Sequence, residues 1–434
     1  MKYRIVIILA AGTFLLSISS AYGFQATFTP RISVGEEYTD NYFLTADDKT
    51  DEFITTISPG FSAQILGKTN GAEIAYDPEY ALYDTYSENN VWRHAFQFRG
   101  WLEPTKNTRF DLSNNFYRTE DPQTDADLAT IRTEDPAAPV DSTIRKDRNL
   151  YSRNSTNLNM SYQFGQSDSL DLGYNYYFLE NDDPDIEDSR RHNPYIELTY
   201  WFFPQWGLNA RGSYAKGEFD VSNDLDAWRG TLRFIRRFNR NLEGYISYLQ
   251  TAINYEGEET EDDKTYNPSV GINYSVAEDT SLALDIGYFS NVYEYRDDQT
   301  GPTLDGRLIK RFRRASINVS VLGGYDYSLF NAENLRFEKF AETGVSGTYR
   351  FTRYVSANAF GSYRYSKYVD TIPEREDDTA RAGLGLTVQP LEWMSIGLNY
   401  TFRLLDSTID SNDYEENRGL LRITLYPSTP FRTN

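Results

Sequence analysis

The sequence predicts an all-β fold, a transmembrane antiparallel up-and-down β-barrel of about 20 strands. Three observations lead there. Apolar residues recur at every second position along the chain, the breaks between these segments alternate between short and long, and aromatic side chains abound in a chain that is polar on average. The 434 residues include 35 Tyr and 26 Phe, while the mean hydropathy is −0.62. A barrel wall reconciles the two, because each strand turns only alternate residues to lipid.

Taken in chain order, the N-terminus comes first. Lys2 and Arg4 precede an apolar run, Ile5 to Leu16, followed by Ser17–Ser20 and Ala21-Tyr22-Gly23. That order predicts a secretory signal peptide over residues 1–23, cleaved after Gly23, and a barrel domain over 24–434. The chain has no cysteine, which excludes both a lipid-modified N-terminus and a disulfide framework. Beyond the signal there is no apolar run of about 18 residues, so no transmembrane helix is expected. The net charge of −21 argues against a nucleic-acid partner, since phosphate neutralisation needs an excess of Lys and Arg.

Within the barrel domain the period is two. Leu170, Leu172, Tyr174, Tyr176 and Phe178 share one face, with Asp171, Gly173, Asn175 and Tyr177 on the other. Ile317, Val319, Val321 and Tyr325 oppose Ser316, Asn318, Ser320 and Asp326, and Ile396, Leu398, Tyr400 and Phe402 oppose Ser395, Asn399, Thr401 and Arg403. A β-sandwich has the same period, so the breaks decide. Short turns fall at Lys68–Gly71, Pro104–Asn107, Gly165–Asp168, Phe203–Trp206, Asn239–Asn241, Ala277–Thr280, Arg313–Ala315, Thr352–Tyr354 and Pro390–Trp393. Longer, mostly acidic connections lie between them, among them Asn41–Glu52, Asp121–Asn149, Glu256–Lys264, Arg296–Asp305 and Asn331–Arg336. Short turns at one end and long loops at the other are the layout of bacterial outer-membrane barrels, and an even count leaves both termini in the periplasm. The count is 20, or 18 if the segment around Gly306–Phe312 and one neighbour are not strands.

Aromatic residues gather near the short turns, including Trp101, Tyr162, Phe164, Trp201, Trp206, Phe238, Tyr349 and Trp393, as an interfacial girdle would require. Phe340, Tyr363, Tyr365 and Tyr368 begin a second belt towards the loops. The long loop Asp121–Asn149 either folds inward as a constriction or stays at the surface.

Catalysis is not expected. Only two histidines exist, His94 and His192, and both fall in phase with outward-facing residues. There is no Gly-x-Ser-x-Gly and no His- or Cys-based metal spacing, and the acidic run Glu256–Asp263 lacks the spacing of a dedicated calcium loop. No cofactor is expected. The informative residues face the lumen: Arg93, Arg99, Arg109, Arg153, Arg211, Arg229, Arg233, Arg350, Arg364, Arg381 and Arg403, with Glu73, Asp77, Glu197, Tyr117 and Tyr177. Arg at mid-bilayer on the lipid side costs about 2–4 kcal/mol, so topology alone sends these charges inward. They either line a polar conduit, which would suit hydroxyl-rich or acidic solutes, or pack the interior as salt-bridge ladders.

The stretches Phe28–Asn41 (FTPRISVGEEYTDN), Phe53–Ala63 (FITTISPGFSA), Gly306–Arg314 (GRLIKRFRR) and Gly323–Phe330 (GGYDYSLF) resemble the outer-membrane β-barrel porins encoded with exopolysaccharide loci of the PEP-CTERM/exosortase type. That resemblance implies a conduit for polysaccharide, working with synthesis and export proteins, and carries no catalytic residue. Two readings therefore stand, a pore for exopolysaccharide or polar solutes and a non-conducting structural barrel with acidic outer loops. Either one implies outer-membrane lipid, lipopolysaccharide and the barrel-assembly machinery as partners.

Overall fold

In the computed structural model, residues 24–122, 148–257, 261–330 and 333–433 are described. The expected signal peptide and most of the loop Asp121–Asn149 lie outside them. The wall opens with β1 (Gln25–Thr39), β2 (Glu52–Leu66), β3 (Asn70–Tyr83), β4 (Val91–Thr105) and β5 (Thr108–Thr119). It continues with β6 (Tyr151–Gln163), β7 (Ser169–Asn181), β8 (Ser189–Phe203), β9 (Trp206–Phe219) and β10 (Leu225–Arg237). Next come β11 (Leu242–Tyr255), β12 (Asp263–Ala277), β13 (Thr280–Tyr293), β14 (Gln299–Arg311) and β15 (Ala315–Ser328). The wall ends with β16 (Arg336–Arg350), β17 (Val355–Tyr368), β18 (Arg375–Leu391), β19 (Met394–Ser407) and β20 (Tyr414–Leu425), and a short β21 (Phe431–Thr433) follows.

Each strand pairs antiparallel with the next, and β20 returns to β1 through Ile32↔Leu425 to Thr39↔Arg418, closing a barrel of 20 strands. The segment around Gly306–Phe312 is a full strand, and longer than its sequence implies: Gln299–Asp305, expected in a loop, extends β14 towards the loop end. Closure leaves no free edge along most of the wall. Between β1 and β20 a gap remains at the turn end, and β21 fills it by pairing Phe28, Thr27 and Ala26 with Phe431, Arg432 and Thr433.

Contacts between strands that are not neighbours can form only on the concave side, and these identify the inner face. Arg422 on β20 pairs with Glu79 on β3 at 2.8 Å, reaching past β1 and β2. The outer face carries exposed Val34, Ile57, Ile196, Ile286, Val345 and Leu398, an apolar belt that no water-facing sheet would keep. No helix of the described residues is long and apolar enough to cross a membrane.

Prolines mark where the ladder breaks. Pro59 and Pro78 sit in the gap between Ile57↔Tyr80 and Phe61↔Tyr76. Pro194 falls between His192↔Lys216 and Tyr195↔Ser213, and Pro268 between Tyr266↔Ser290 and Ser269↔Gly287. A residue without an amide hydrogen is tolerated where no ladder bond is formed.

The largest departure from a plain cylinder lies at the top of β15 and β16. The β14–β15 ladder stops at Leu304↔Gly323, and Gly324 adopts φ +143°. A Cβ there would lie 2.9 Å from Thr303 Cγ2, so glycine serves both the backbone conformation and the close approach. Beyond this kink β15 has lost β14 and pairs only with β16, which keeps its own ladder to β17 as far as Glu338↔Tyr368, and the hairpin bends into the bore. Tyr325 thereby leaves the outward phase expected from its sequence and packs on Phe289 and Phe337. The hairpin tip crosses the interior: Leu329 packs with Leu225 of β10 and Ile253 of β11, and Phe330 reaches the cluster of Tyr151, Tyr177 and Leu179 on β6 and β7.

Candidate functional site: the barrel interior

All sixteen lumen candidates sit on inner-face registers, and the structure sorts them by depth. Near the loops Arg93, Arg364 and Arg403 are buried, as is Tyr177. Arg93 donates to Glu120 from Nε at 2.9 Å and from Nη2 at 2.6 Å, and its Nη1 meets Glu79 at 3.0 Å. Tyr83 Oη also donates to Glu120. Arg364 pairs with Glu338 and, at 2.9 Å, with Glu342. These charges are interior packing. Arg93 and Arg364 are each compensated by two carboxylates, as burial requires.

Two loop bases join this layer. Asp121 accepts from Arg418 Nη1 at 3.0 Å and Nη2 at 2.7 Å, and Arg418 also meets Glu37 at 2.6 Å. Burial alone would push the Asp121 carboxyl up, but Arg418, Arg93 and Arg148 outweigh it and hold it well below the usual carboxylate range. Arg148 lies 4.5 Å over the ring of Tyr42 and donates to the Tyr42 carbonyl at 2.9 Å. Burial, partly offset by Arg148, raises the Tyr42 hydroxyl above its ordinary value, so it stays neutral. Leu44, in the same first loop, packs on Leu405 and Tyr414 from inside. The mouth is thus narrowed by the first loop and by the β15–β16 hairpin.

The turn-end half differs. Glu73, Arg99, Arg109 and Arg350 face inward yet are exposed, so the interior is unfilled at their level; Arg229, nearer the loop end of β10, is exposed as well. Some are paired: Arg31 with Asp77 at 2.7 Å, Arg109 with Asp111 at 2.8 Å, and Arg211 with Glu197 at 3.3 Å. Arg99, Arg229, Arg233 and Arg350 form no ion pair with a described residue; Arg233 lies 4.2 Å over the ring of Tyr245. Against them, the inner-face acids Glu73, Asp171 and Asp285 form no ion pair with a described residue; Asp285 accepts from Ser269 Oγ at 3.1 Å. Tyr117 accepts from Gln97 at 3.2 Å, Arg153 lies 5.3 Å over Tyr177, and Arg381 stands opposite Arg403 and Ser362.

Large inner-face rings lie flat on cross-strand glycines. A Cβ at Gly71 would come within 2.2 Å of Trp101, at Gly173 within 2.1 Å of Tyr195, and at Gly271 within 2.2 Å of Tyr245. Trp201 over Gly207 and Phe360 over Gly383 repeat the arrangement. Trp101 and Trp201 therefore belong to the bore and not to the girdle expected from their position near the turns. Phe340, 4.0 Å from Arg364, and buried Tyr368 likewise leave the second belt for the interior. Parity within each strand carries this information; proximity to a turn does not.

Both histidines point outward, each bonded to a neighbouring tyrosine: His94 Nδ1 lies 2.9 Å from Tyr76 Oη and His192 Nδ1 lies 2.6 Å from Tyr174 Oη. Among the described residues no group of three or more His, Cys, Asp or Glu is arranged to hold a metal. The sequence reading omitted Arg191, although its phase with Asn193, Tyr195 and Glu197 places it inside.

No family model matches the chain, and no curated protein matches it. Among solved structures it is similar to the FrpB iron transporter from Neisseria meningitidis, with 10% identity and a TM-score of 0.53 over 92% of this chain and 82% of that one. It is also similar to the siderophore receptor PirA from Acinetobacter baumannii, at 9% identity and a TM-score of 0.50 over 92% and 80% of the two chains. OccK2 of Pseudomonas aeruginosa aligns over 93% and 98%, at 9% identity and a TM-score of 0.45. At such identities the likeness is one of fold: the closed antiparallel barrel of outer-membrane proteins.

Proposed function

We propose that the protein is an outer-membrane channel for polar solutes with a preference for anions, both termini lying in the periplasm. One observation carries the reading: the inner wall holds exposed Arg99, Arg229 and Arg350 and half-buried Arg233 without ion-pair partners among the described residues, against Glu73, Asp171 and Asp285. Fixed charge on a water-filled wall selects the counter-ion. The paired acids and Asn residues between them keep the preference moderate.

Reconstitution of the purified barrel in a planar bilayer tests this. The expected result is conductance with a reversal potential on the anion side in a salt gradient. Reversing two unpaired charges, Arg229→Glu with Arg233→Glu, shifts the reversal potential towards cations. A barrel that stays silent even with its hairpin tip removed sinks the channel; an unchanged potential shows that these two side chains do not border the path.

Export of a polysaccharide, as implied by the resemblance to porins of exopolysaccharide loci, is favoured by a separate observation. Trp101, Tyr195, Trp201, Tyr245 and Phe360 present flat rings on the inner wall, and sugar rings stack on such faces. Unchanged surface polysaccharide after deletion of the gene contradicts export without touching the channel.

A further inference from the structure

Beneath Phe330, the inner wall of β6–β8 holds a cation that no carboxylate compensates among the described residues. The guanidinium of Arg191 lies between two rings, 5.7 Å from Tyr177 and 5.0 Å from Phe330, and forms no ion pair with a described residue. Its Nε is shielded from solvent and has no hydrogen-bond partner among the described residues. The inner-face residues on either side of it along β8 share that condition: Ser189 Oγ and Asn193 Oδ1 are shielded and unpartnered. Buried polar atoms are almost always satisfied, so three orphans in a row on one strand call for an explanation. Elsewhere in this barrel buried arginines are paired with carboxylates, as Arg93, Arg364 and Arg418 show. Here a second arginine, Arg153, lies 5.3 Å over the same Tyr177 ring.

We propose that this strip is a binding subsite for a carboxylate-bearing sugar, with Phe330 as its displaceable cover. The inference rests on the channel reading and names the solute class. A guanidinium receives a carboxylate through paired N–H donors, and the Tyr177 face accepts the ring that Phe330 now covers. Ser189 and Asn193 lie about 7 Å from Arg191 on opposite sides of it along the strand, so a ring whose carboxylate meets Arg191 reaches one of them with a hydroxyl on its far side, Asn193 Oδ1 accepting or Ser189 Oγ exchanging the hydrogen bond. Neutral sugars supply the hydroxyls but leave Arg191 without its anion.

The cover is part of the bent hairpin. Phe330 stacks on Phe219 at 5.2 Å and its carbonyl accepts from Tyr177 Oη at 3.1 Å. A ligand seated on Tyr177 takes the place of the Phe330 ring, so occupation of the subsite and withdrawal of the hairpin tip are one event.

Calorimetric titration of the full-length barrel in detergent, with galacturonate and galactose as probes, tests the site. Phe330→Ala removes the cover, and it is expected to bind galacturonate at least ten-fold more tightly than the native chain. Adding Arg191→Gln in that background weakens galacturonate ten-fold or more and leaves galactose equally weak in both. Equal galacturonate binding with and without Arg191, or galactose binding as tightly as galacturonate, overturns the proposal. Should Phe330→Ala fail to assemble, judged by heat-modifiable gel mobility, Phe330→Leu keeps an apolar tip and carries the same comparison. Anion-selective current without galacturonate binding rejects the subsite alone, whereas binding by a barrel that never conducts retains the subsite and rejects the channel.

Discussion

Arg93 illustrates how a charge survives inside the wall: two carboxylates and a tyrosine hydroxyl surround it, Glu79 and Tyr83 from β3 and Glu120 from just beyond β5. Breaking such a buried pair by removing one partner costs about 3–5 kcal/mol, because the other charge stays behind. Arg93→Ala is therefore expected to lower the temperature at which the barrel loses its compact gel mobility, and Arg93→Met combined with Glu120→Gln to restore most of it. Asp121 adds a dependence on acid. Its folded carboxyl titrates far below the unfolded one, so its contribution is complete above the ordinary carboxylate range near 4 and declines as pH falls through and below it. Acid unfolding of the native chain should accordingly steepen below about pH 4, and Asp121→Asn should flatten that slope. Identical profiles would show that the Arg418–Asp121 contact does not form.

At the level of elements, alternation made the strands legible, because a two-residue period and a short turn are local properties. The kink was not. Gly323-Gly324 reads as an ordinary small-residue stretch, and nothing local distinguishes a strand that stays in the wall from one that bends out of it at φ +143°. The start of β14 was hidden for a related reason: Thr300-Gly301-Pro302 has the composition of a loop, yet Pro302 lies beyond the last β14–β15 pair, where a missing amide is tolerated. Among the candidate residues, inward parity was readable one strand at a time. Which inward charges are buried and which are exposed was not, because that depends on loops packing from across the bore. The hairpin itself yields a direct expectation. Replacing Leu329–Leu335 by Asn-Gly, a turn suited to a two-residue hairpin, should raise single-channel conductance by more than half while leaving the anion preference in place. An unchanged conductance would mean that the tip does not narrow the path.

Over the whole molecule, the closing ladder joins the two ends of the chain. Ser33 meets Thr424 at 2.9 Å across a sequence separation of 391 residues, and Thr39 meets Glu416 at 2.8 Å across 377. Loop-length sorting made the circuit predictable, since an even number of strands with short turns at one end returns the chain to its start. The tail after β20 has no such logic, since Pro427–Asn434 carries no run of alternating residues. Its role follows from the register. β20 ends opposite Ile32, so the first residues of β1 would expose bare backbone donors and acceptors on one side, and Phe431–Thr433 supplies their partners. An uncovered strand margin of that kind is a template for another chain. Ending the protein at Tyr426 should therefore yield barrels that join through their N-terminal strands, seen as dimers and larger species in light scattering, whereas purely monomeric barrels would show the tail to be dispensable. The last residues thus act as a guard against self-association, worn by the finished barrel at the one place where its circle does not quite meet.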